Sequence, residues 1–268
     1  MDNRPIGIFD SGLGGLTCVK KVMELMPGED IIYFGDTGRV PYGSRSSDTI
    51  LKYTRQDIRF LQTFDIKFII IACGTASSAA LPRIQNEFRT EIAGVLNPAC
   101  SLAAAATRNG RIGVIGTQGT VRSGKYLQKL KEMNSALEVY TKACPMFVPL
   151  VENGYTHGQV ARLICEEYLL GMKEAGVDTL ILGCTHYPLL TDTIREVMGE
   201  EVTLVSAGAE TAVYAQKRLQ EENLLSSRSH GSCQYYVSDA IENFTELAEM
   251  FLDKKIEGSV HKIDIETY

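Results

Sequence analysis

Two cysteines occupy matching places in the sequence. Cys73, in IIIACGTAS, and Cys184, in LILGCTHYP, each follow a short apolar run and precede residues that can start a helix. The positive end of a helix dipole stabilises a thiolate, and such surroundings lower the pKa of a free cysteine from about 8.5 toward neutrality. Each thiol could therefore give or take a proton. Two such groups on opposite sides of a flat carbanion can invert a stereocentre, so we predict acid–base chemistry on a carbon–hydrogen bond.

Asp10 and His186 are the candidate partners of the two thiols. Asp10 follows the first apolar run of the chain, and His186 lies two residues beyond Cys184. Each could take a proton from a thiol or orient it. Taken singly, an Asp after a strand is often a turn former, and a His beside a proline is often an ordinary turn residue. The coincidence of two thiols with two acid–base side chains favours a catalytic site.

Short β-branched runs alternate along the chain with amphipathic stretches of helical length. The runs predict seven buried strands: Ile6–Phe9, Ile31–Phe34, Phe68–Ala72, Ile112–Ile115, Thr179–Leu182, Thr203–Val205 and Tyr235–Val237. The stretches between them predict eight helices: Leu16–Met26, Ser46–Thr63, Ala76–Arg89, Gly119–Met133, Gly158–Ala175, Leu189–Met198, Ala209–Asn223 and Ile241–Leu252. Strands that alternate with helices indicate an α/β fold with a mostly parallel sheet covered on both faces.

A weak internal repeat indicates that this fold is duplicated. IGIFDSG at Ile6–Gly12 parallels IGVIGTQG at Ile112–Gly119, and about 60 to 70 residues after each comes a strand that ends in one of the two cysteines. In open parallel sheets, ligands bind beyond the carboxyl ends of the strands. We therefore predict two similar parallel-sheet α/β domains that face each other across a cleft, with Cys73 and Cys184 directed into it.

The composition is that of an ordinary globular protein and argues against several classes of function. The 268 residues are 44% hydrophobic and 22% charged, and a formal net charge of −6 without a dense lysine or arginine run disfavours a nucleic-acid partner. The apolar runs are too short to span a bilayer, and the first residues do not resemble a signal peptide. We therefore expect a cytoplasmic protein without a membrane partner.

Motifs for metals and cofactors do not fit. Seven widely spaced cysteines match neither a zinc ribbon nor a CxxC motif, so we expect no metal and no disulfide. GTVRSGK at Gly119–Lys125 matches a phosphate-binding loop only until Tyr126, which stands where a Mg²⁺-binding hydroxyl is required. No lysine lies in the strand-end loops to carry pyridoxal phosphate. We expect chemistry without a cofactor.

Six segments closely resemble the glutamate racemase family, in the family's order and across nearly the whole chain. They are FDSGLGG (Phe9–Gly15), FGDTGRVPYG (Phe34–Gly43), IIACGTAS (Ile70–Ser77), IGTQGT (Ile115–Thr120), VPLVENG (Val148–Gly154) and LGCTHYPLL (Leu182–Leu190). The resemblance implies cofactor-independent interconversion of L- and D-glutamate, with D-glutamate supplied to peptidoglycan synthesis. It also implies a homodimer, with a first domain made of residues 1–97 and 208–268 and a second of residues 98–207.

The resemblance also assigns roles to individual residues. Cys73 and Cys184 would be the acid/base thiols, with Asp10 and His186 as their partners and Glu152 assisting on the Cys184 side. Hydroxyl and backbone groups can hold carboxylates without an arginine. The residues that would hold glutamate in this way, besides Asp10 and His186, are Ser11, Tyr42, Gly43, Gly74, Thr75, Thr117, Thr120 and Thr185.

One position departs from the family pattern. The family usually has Cys-Asn-Thr at the first thiol, whereas this chain has Cys73-Gly74-Thr75. We expect the backbone N–H of Gly74 to remain available, with activity retained and the hold on the substrate altered. Two alternatives stay open: a racemase of aspartate or another carboxylic acid, and a non-catalytic homologue that binds carboxylates.

Overall fold

A computed structural model describes residues 1–239, 244–256 and 260–268. The described residues contain ten strands: β1 Ile6–Asp10, β2 Ile31–Gly35, β3 Phe68–Ile71, β4 Glu91–Gly94, β5 Arg111–Gly116, β6 Glu138–Ala143, β7 Thr179–Leu182, β8 Thr203–Ser206, β9 Cys233–Val237 and β10 Val260–Lys262. They contain twelve α-helices: α1 Leu16–Leu25, α2 Ser47–Leu61, α3 Gly74–Ala79, α4 Leu81–Ile84, α5 Leu96–Ala106, α6 Gln118–Arg122, α7 Lys125–Met133, α8 Phe147–Glu152, α9 Gly158–Glu174, α10 Thr191–Met198, α11 Ala207–Glu221 and α12 Phe244–Leu252. Short 3₁₀ turns are described at Tyr42–Ser44, Gln62–Phe64, Tyr187–Leu190 and Ile265–Thr267.

The first sheet has six parallel strands in the order β10-β9-β2-β1-β3-β4. β1, β2 and β3 are buried along their whole length, as expected for central parallel strands covered by helices on both faces. β1 pairs with β3 so that Phe9 lies opposite Ile71. Asp10, which follows Phe9 on β1, and Cys73, two residues beyond Ile71, are therefore brought to the same edge of the sheet.

The second sheet has four parallel strands in the order β6-β5-β7-β8. Ile115 of β5 lies opposite Leu182 of β7, so Thr117 and Cys184 follow at one edge. Two parallel sheets flanked by helices confirm the predicted fold class. The predicted domain boundaries at 97/98 and 207/208 fall in the first turns of α5 and α11 and remain a prediction.

A continuous cluster of buried apolar side chains joins the regions of the two sheets. It includes Ile8 of β1 and Leu182 of β7. On α1, Leu16, Val19 and Val22 recur every three residues, so one helical face is buried against this cluster. The shared core fixes how the carboxyl ends of the two sheets stand relative to one another.

Most predicted elements are confirmed, and two predicted helices are wrong for local reasons. The predicted helix Ala76–Arg89 is divided into α3 and α4, because Pro82 in the first turn of α4 cannot donate the hydrogen bond that would continue α3. The predicted helix Gly119–Met133 is divided into α6 and α7 at Gly124, whose φ of 65° lies in the left-handed region.

Three strands and two helices have no counterpart in the sequence prediction. The strands are β4, β6 and β10, which are edge strands with mixed or exposed side chains, so no continuous apolar run marks them. The helices are α5 and α8. Within the predicted helix Ile241–Leu252, residues Phe244–Leu252 are helical, and 241–243 lie outside the described residues. No helix in the described part of the chain is long and apolar enough to cross a membrane.

Candidate active site

A cavity of about 340 Å³ lies between the carboxyl ends of the two sheets. The residues predicted from the sequence that line it are Asp10, Ser11, Tyr42, Gly43, Cys73, Gly74, Thr75, Thr117, Glu152, Cys184, Thr185 and His186. Thr120 is buried and contacts two of them from outside the lining. Among residues 1–239, 244–256 and 260–268, no group of three or more His, Cys, Asp or Glu side chains is arranged to hold a metal ion.

Cys73 occupies the turn between β3 and α3. Its backbone is still extended, with φ −66° and ψ 117°, and the helix begins at the next residue. The Sγ atom donates a hydrogen bond to Oγ of Ser11 at 3.5 Å. Burial, followed by the charge of Asp10, raises the pKa of Cys73 to about 12, so the lowering expected from the start of the helix was wrong for this thiol. The resting thiol is therefore protonated and can act as an acid.

Asp10 connects the two halves of the pocket. The N–H groups of Gly12 and Gly15 donate to its Oδ2 at 3.2 and 3.1 Å, and the hydroxyl of Thr185 donates to its Oδ1 at 3.5 Å. Burial raises the pKa of Asp10, while the charge of His186 and the N–H groups oppose this rise. Donors from both sheets thus hold the carboxyl group in place.

The loop that follows β1 and the first turn of α1 are in direct contact with the loop that follows β7. The hydroxyl of Thr17 donates to the carbonyl oxygen of Thr185 at 3.0 Å. A Cβ atom at Gly14 would stand 2.4 Å from both Thr185 Oγ1 and His186 Nδ1, so a side chain at residue 14 would collide with the Cys184 loop. This contact gives a physical reason for a glycine at residue 14, within the segment FDSGLGG.

His186 lies between Cys184 and Glu152. Its Nδ1 is 3.9 Å from Sγ of Cys184, and its Nε2 is 3.0 Å from Oε1 of Glu152. Burial alone would lower the pKa of His186, but the contacts with Cys184 and Glu152 outweigh burial and raise it to about 10. The ring is therefore an imidazolium at neutral pH. The imidazolium places a positive charge 3.9 Å from Sγ of Cys184, and it is a group that can exchange a proton with that thiol.

Three threonine hydroxyls meet where the two halves approach each other. The Oγ1 atoms of Thr75 and Thr117 are 2.9 Å apart, and those of Thr117 and Thr120 are 3.1 Å apart. Thr117 also caps α6 by accepting a hydrogen bond from the N–H of Thr120 at 3.2 Å. Because Thr75 follows β3 and Thr117 follows β5, hydroxyls from both sheets are placed to bind one carboxylate.

Tyr42 lines the cavity, but its hydroxyl is bonded to buried carboxyl groups. It hydrogen-bonds Asp36 and lies 2.9 Å from Oδ2 of Asp57. Arg39 donates to the same two side chains at 2.7 and 3.0 Å. The backbone of Tyr42 and of Gly43, rather than the hydroxyl, is therefore what this turn offers to a ligand.

The apolar wall of the cavity was not predicted from the sequence. It is formed by Val40, Pro41, Cys144, Val148 and Pro149. All except Cys144 lie inside the segments FGDTGRVPYG and VPLVENG, but their residue types alone point to no role. Cys144 directly follows β6, a strand too exposed to be detected from its pattern. Had β6 been found, the rule that ligands bind beyond strand ends would have placed Cys144 at the site.

The chain is similar to proteins of a known family along most of its length. A family model described as Asp/Glu/Hydantoin racemase matches residues 17–215. A glutamate racemase of Geobacter metallireducens is 48% identical over 264 residues, which cover 98% of this chain and 97% of the relative. A glutamate racemase of Thermoanaerobacter pseudethanolicus is 43% identical, with both chains fully covered. The crystal structure of a Francisella tularensis glutamate racemase with D-glutamate superposes with a TM-score of 0.93 at 36% identity, over 100% of both chains.

The chain therefore belongs to the Asp/Glu/hydantoin racemase family of isomerases. Within that family its curated relatives place it among the glutamate racemases, which confirms the resemblance seen in the six sequence segments.

Proposed function

We propose that this pocket interconverts L- and D-glutamate by moving protons through two thiols, without a cofactor. The proposal depends on one observation: Cys73 and Cys184 line a single cavity from the carboxyl ends of two different sheets. Similarity to relatives that are named glutamate racemases, one of them solved with D-glutamate, supports the substrate.

The charges around the two thiols suggest how a turnover proceeds. With the imidazolium of His186 beside it, Cys184 acts as a thiolate and takes the α-proton, which leaves a carbanion. The thiol of Cys73 then gives its proton to the opposite face of the flat carbanion, which inverts the carbon. One thiol gains the proton that the other loses, and the reverse reaction runs in the opposite order. His186 and Asp10 are the groups beside the thiols that can return protons to the starting arrangement.

The substrate is held by hydroxyl and backbone groups. Ser11 and Thr75 lie on the Cys73 side of the cavity, while Thr117 and Thr185 lie on the other side. Backbone N–H groups at Gly43 and Gly74 complete a set of donors suited to two carboxylates. Preorganised donors of this kind stabilise the charge that develops on the α-carboxylate as the carbanion forms.

Four further parts of the proposal follow from the family resemblance. The D-glutamate product would supply peptidoglycan synthesis, and the protein would act in the cytoplasm as a homodimer. Residues 1–97 with 208–268 would form one domain and residues 98–207 the other. The division into domains is supported by the strands, since the first sheet uses only β1–β4, β9 and β10, and the second only β5–β8.

The test is the loss of circular dichroism from L-glutamate and from D-glutamate in the presence of dialysed protein without pyridoxal phosphate. Parallel samples carry Cys73→Ser and Cys184→Ser. Cys18→Ser is the matched control, because Cys18 lies outside the cavity and its thiol donates to the carbonyl oxygen of Gly208 at 3.3 Å, a bond that a hydroxyl can replace.

Loss of signal from both enantiomers in the wild type and in Cys18→Ser, abolished by either of the other substitutions, is the expected result. Loss with aspartate but not with glutamate would keep the two-thiol mechanism and replace the substrate. Binding of glutamate without exchange of its α-hydrogen would instead identify a non-catalytic carboxylate-binding protein.

A further inference from the structure

Gly74 lies directly against the main chain of the opposite half of the pocket. A Cβ atom built on this residue would stand 2.2 Å from the carbonyl oxygen of Gly183 and 3.3 Å from its carbonyl carbon. Carbon and oxygen atoms that are not bonded approach to roughly 3.3 Å. A residue with a side chain at position 74 therefore fits only if the carbonyl of Gly183 or the backbone of residue 74 moves.

Neither side of this contact is free to move alone. The N–H of Gly183 donates to the carbonyl oxygen of Ile115 at 2.8 Å, which extends the pairing of β5 with β7. On the other side, Gly74 is the first residue of α3, and its carbonyl oxygen accepts a hydrogen bond from the hydroxyl of Ser78. The collision therefore cannot be relieved by moving one flexible side chain. Its relief would push β7 and α3 apart.

The residues in contact are the immediate neighbours of the two thiols. Gly74 follows Cys73, and Gly183 precedes Cys184. A gap opened between the two glycines therefore separates the two thiols. Proton transfer needs reacting atoms about 3–3.5 Å apart, and a misplacement of about 1 Å can cost 10²-fold in rate.

We propose that Gly74 is a positioning residue that sets the separation between the thiols of Cys73 and Cys184. This inference deepens the proposed two-thiol function and depends on it. It changes the expectation for the asparagine that is usual at this position of the family. Gly74→Asn adds an amide that could hold the substrate, but in this chain it lowers inversion because its Cβ displaces the Gly183 carbonyl.

The variants that test the proposal are Gly74→Ala, which adds only the Cβ, and Gly74→Asn. Gly171→Ala is the matched control, since Gly171 is an exposed residue of α9 with nothing within 4 Å of an added Cβ. Inversion and the exchange of the α-hydrogen with solvent are measured in one D₂O sample, by circular dichroism and by NMR. Thermal unfolding checks that each variant is folded.

The ratio of exchange to inversion is the diagnostic quantity. When the thiols are too far apart, the thiol that took the α-proton exchanges it with D₂O and returns a deuteron to the same face of the carbanion, which exchanges the hydrogen without inverting the carbon. We expect inversion to fall about 10²-fold in Gly74→Ala while exchange falls much less. Gly171→Ala should keep the wild-type ratio. A general loss of structure would reduce both rates together and would not raise this ratio.

A second measurement does not need activity. Bis-methanethiosulfonate reagents of increasing spacer length are reacted with the substrate-free protein, and mass spectrometry identifies the shortest reagent that joins Cys73 to Cys184. We expect a longer minimum spacer in Gly74→Ala than in the wild type and in Gly171→Ala. If Gly74→Ala does not fold, Gly74→Asn carries the same two measurements.

An unchanged exchange-to-inversion ratio together with an unchanged minimum spacer would overturn the role of Gly74. A wild type that does not racemise glutamate would overturn the proposed function instead. The spacer measurement would still decide, in that case, whether Gly74 sets the distance between the thiols.

Discussion

Cys73 and Cys184 each follow a central strand of a parallel sheet, yet the groups beside them differ in charge. Cys73 lies near the hydroxyl of Ser11 and the carboxyl of Asp10, whereas Cys184 lies near the imidazolium of His186. Their exposed fractions are similar, at 5% and 9%. The contrast therefore lies in the neighbouring side chains and not in access to water.

Under the proposed two-thiol racemisation, a reaction with two equivalent directions runs in a site with two different halves. At rest, the thiol of Cys73 is protonated, and Cys184 has the positive charge of His186 beside it. Because the two enantiomers are equally stable, kcat/KM must be equal in both directions whichever thiol reacts first. The difference between the halves therefore appears in the properties of the individual groups.

Replacing His186 should have the largest effect. His186→Asn leaves Cys184 without its positive neighbour, and acid–base groups typically contribute about 10²–10⁴-fold to a rate. We expect kcat/KM, followed by circular dichroism, to fall equally for both enantiomers by about 10²-fold or more. His157→Asn is the control, because His157 is an exposed residue at the start of α9, its side chain makes no capping hydrogen bond, and asparagine is well suited to that position. Equal kinetics for the two variants would remove His186 from the mechanism.

Alkylation of the thiols should show the contrast without any substrate. Iodoacetamide reacts with thiolates, and the raised pKa of Cys73 keeps that thiol protonated at pH 7, so Cys184 should be labelled about tenfold faster than Cys73, or more. Mass spectrometry of peptides measures both rates in the same sample. In His186→Asn the two rates should converge. If Cys73 were labelled faster in the wild type, the assignment of the resting acid and base would be reversed.

The stability of the fold should depend on pH through His186. Its pKa is raised in the folded protein from 6.5 to about 10. A raised pKa means that the charged ring stabilises the fold fully below about pH 6.5, and that this contribution is lost as the pH rises through about 10. The free energy of unfolding in urea should therefore differ most between wild type and His186→Asn near pH 6, and the difference should shrink by pH 10. A difference that grows with pH would contradict a charged His186.

Tyr42→Phe, on the Cys73 side, should have the smallest effect on turnover. The variant keeps the ring but removes the hydroxyl that contacts Asp36 and Asp57. Losing a buried hydrogen bond of this kind costs about 1–3 kcal/mol. We expect the free energy of unfolding in urea to fall by this amount while KM for glutamate hardly changes. A large rise in KM at unchanged stability would mean that the hydroxyl binds the substrate after all.

The sequence was sufficient for the features that rest on long apolar runs. β1, β3, β5 and β7 are buried strands, and their apolar runs alone placed the cysteines or polar residues that follow them at strand ends. The internal repeat then predicted that two strand ends would share a cleft. Edge strands such as β6 carry no such run, and Cys144 was missed with it.

Contacts between the two halves could not be predicted from the sequence. The collision that a side chain at Gly74 would make with Gly183 joins residues more than 100 positions apart. Such contacts depend on how two sheets are set against each other, which local patterns do not encode.

The order of strands in the first sheet has a consequence for how the chain is made. β2 needs β9 as its neighbour, and about 200 residues are synthesised between them. At about 5–20 residues per second, the ribosome leaves that edge of β2 uncovered for roughly 10–40 s, an open template for association with other nascent chains. The second sheet, by contrast, is complete once Ser206 has left the ribosome exit tunnel. In stalled nascent chains, the second sheet should therefore become resistant to proteolysis before the first sheet does.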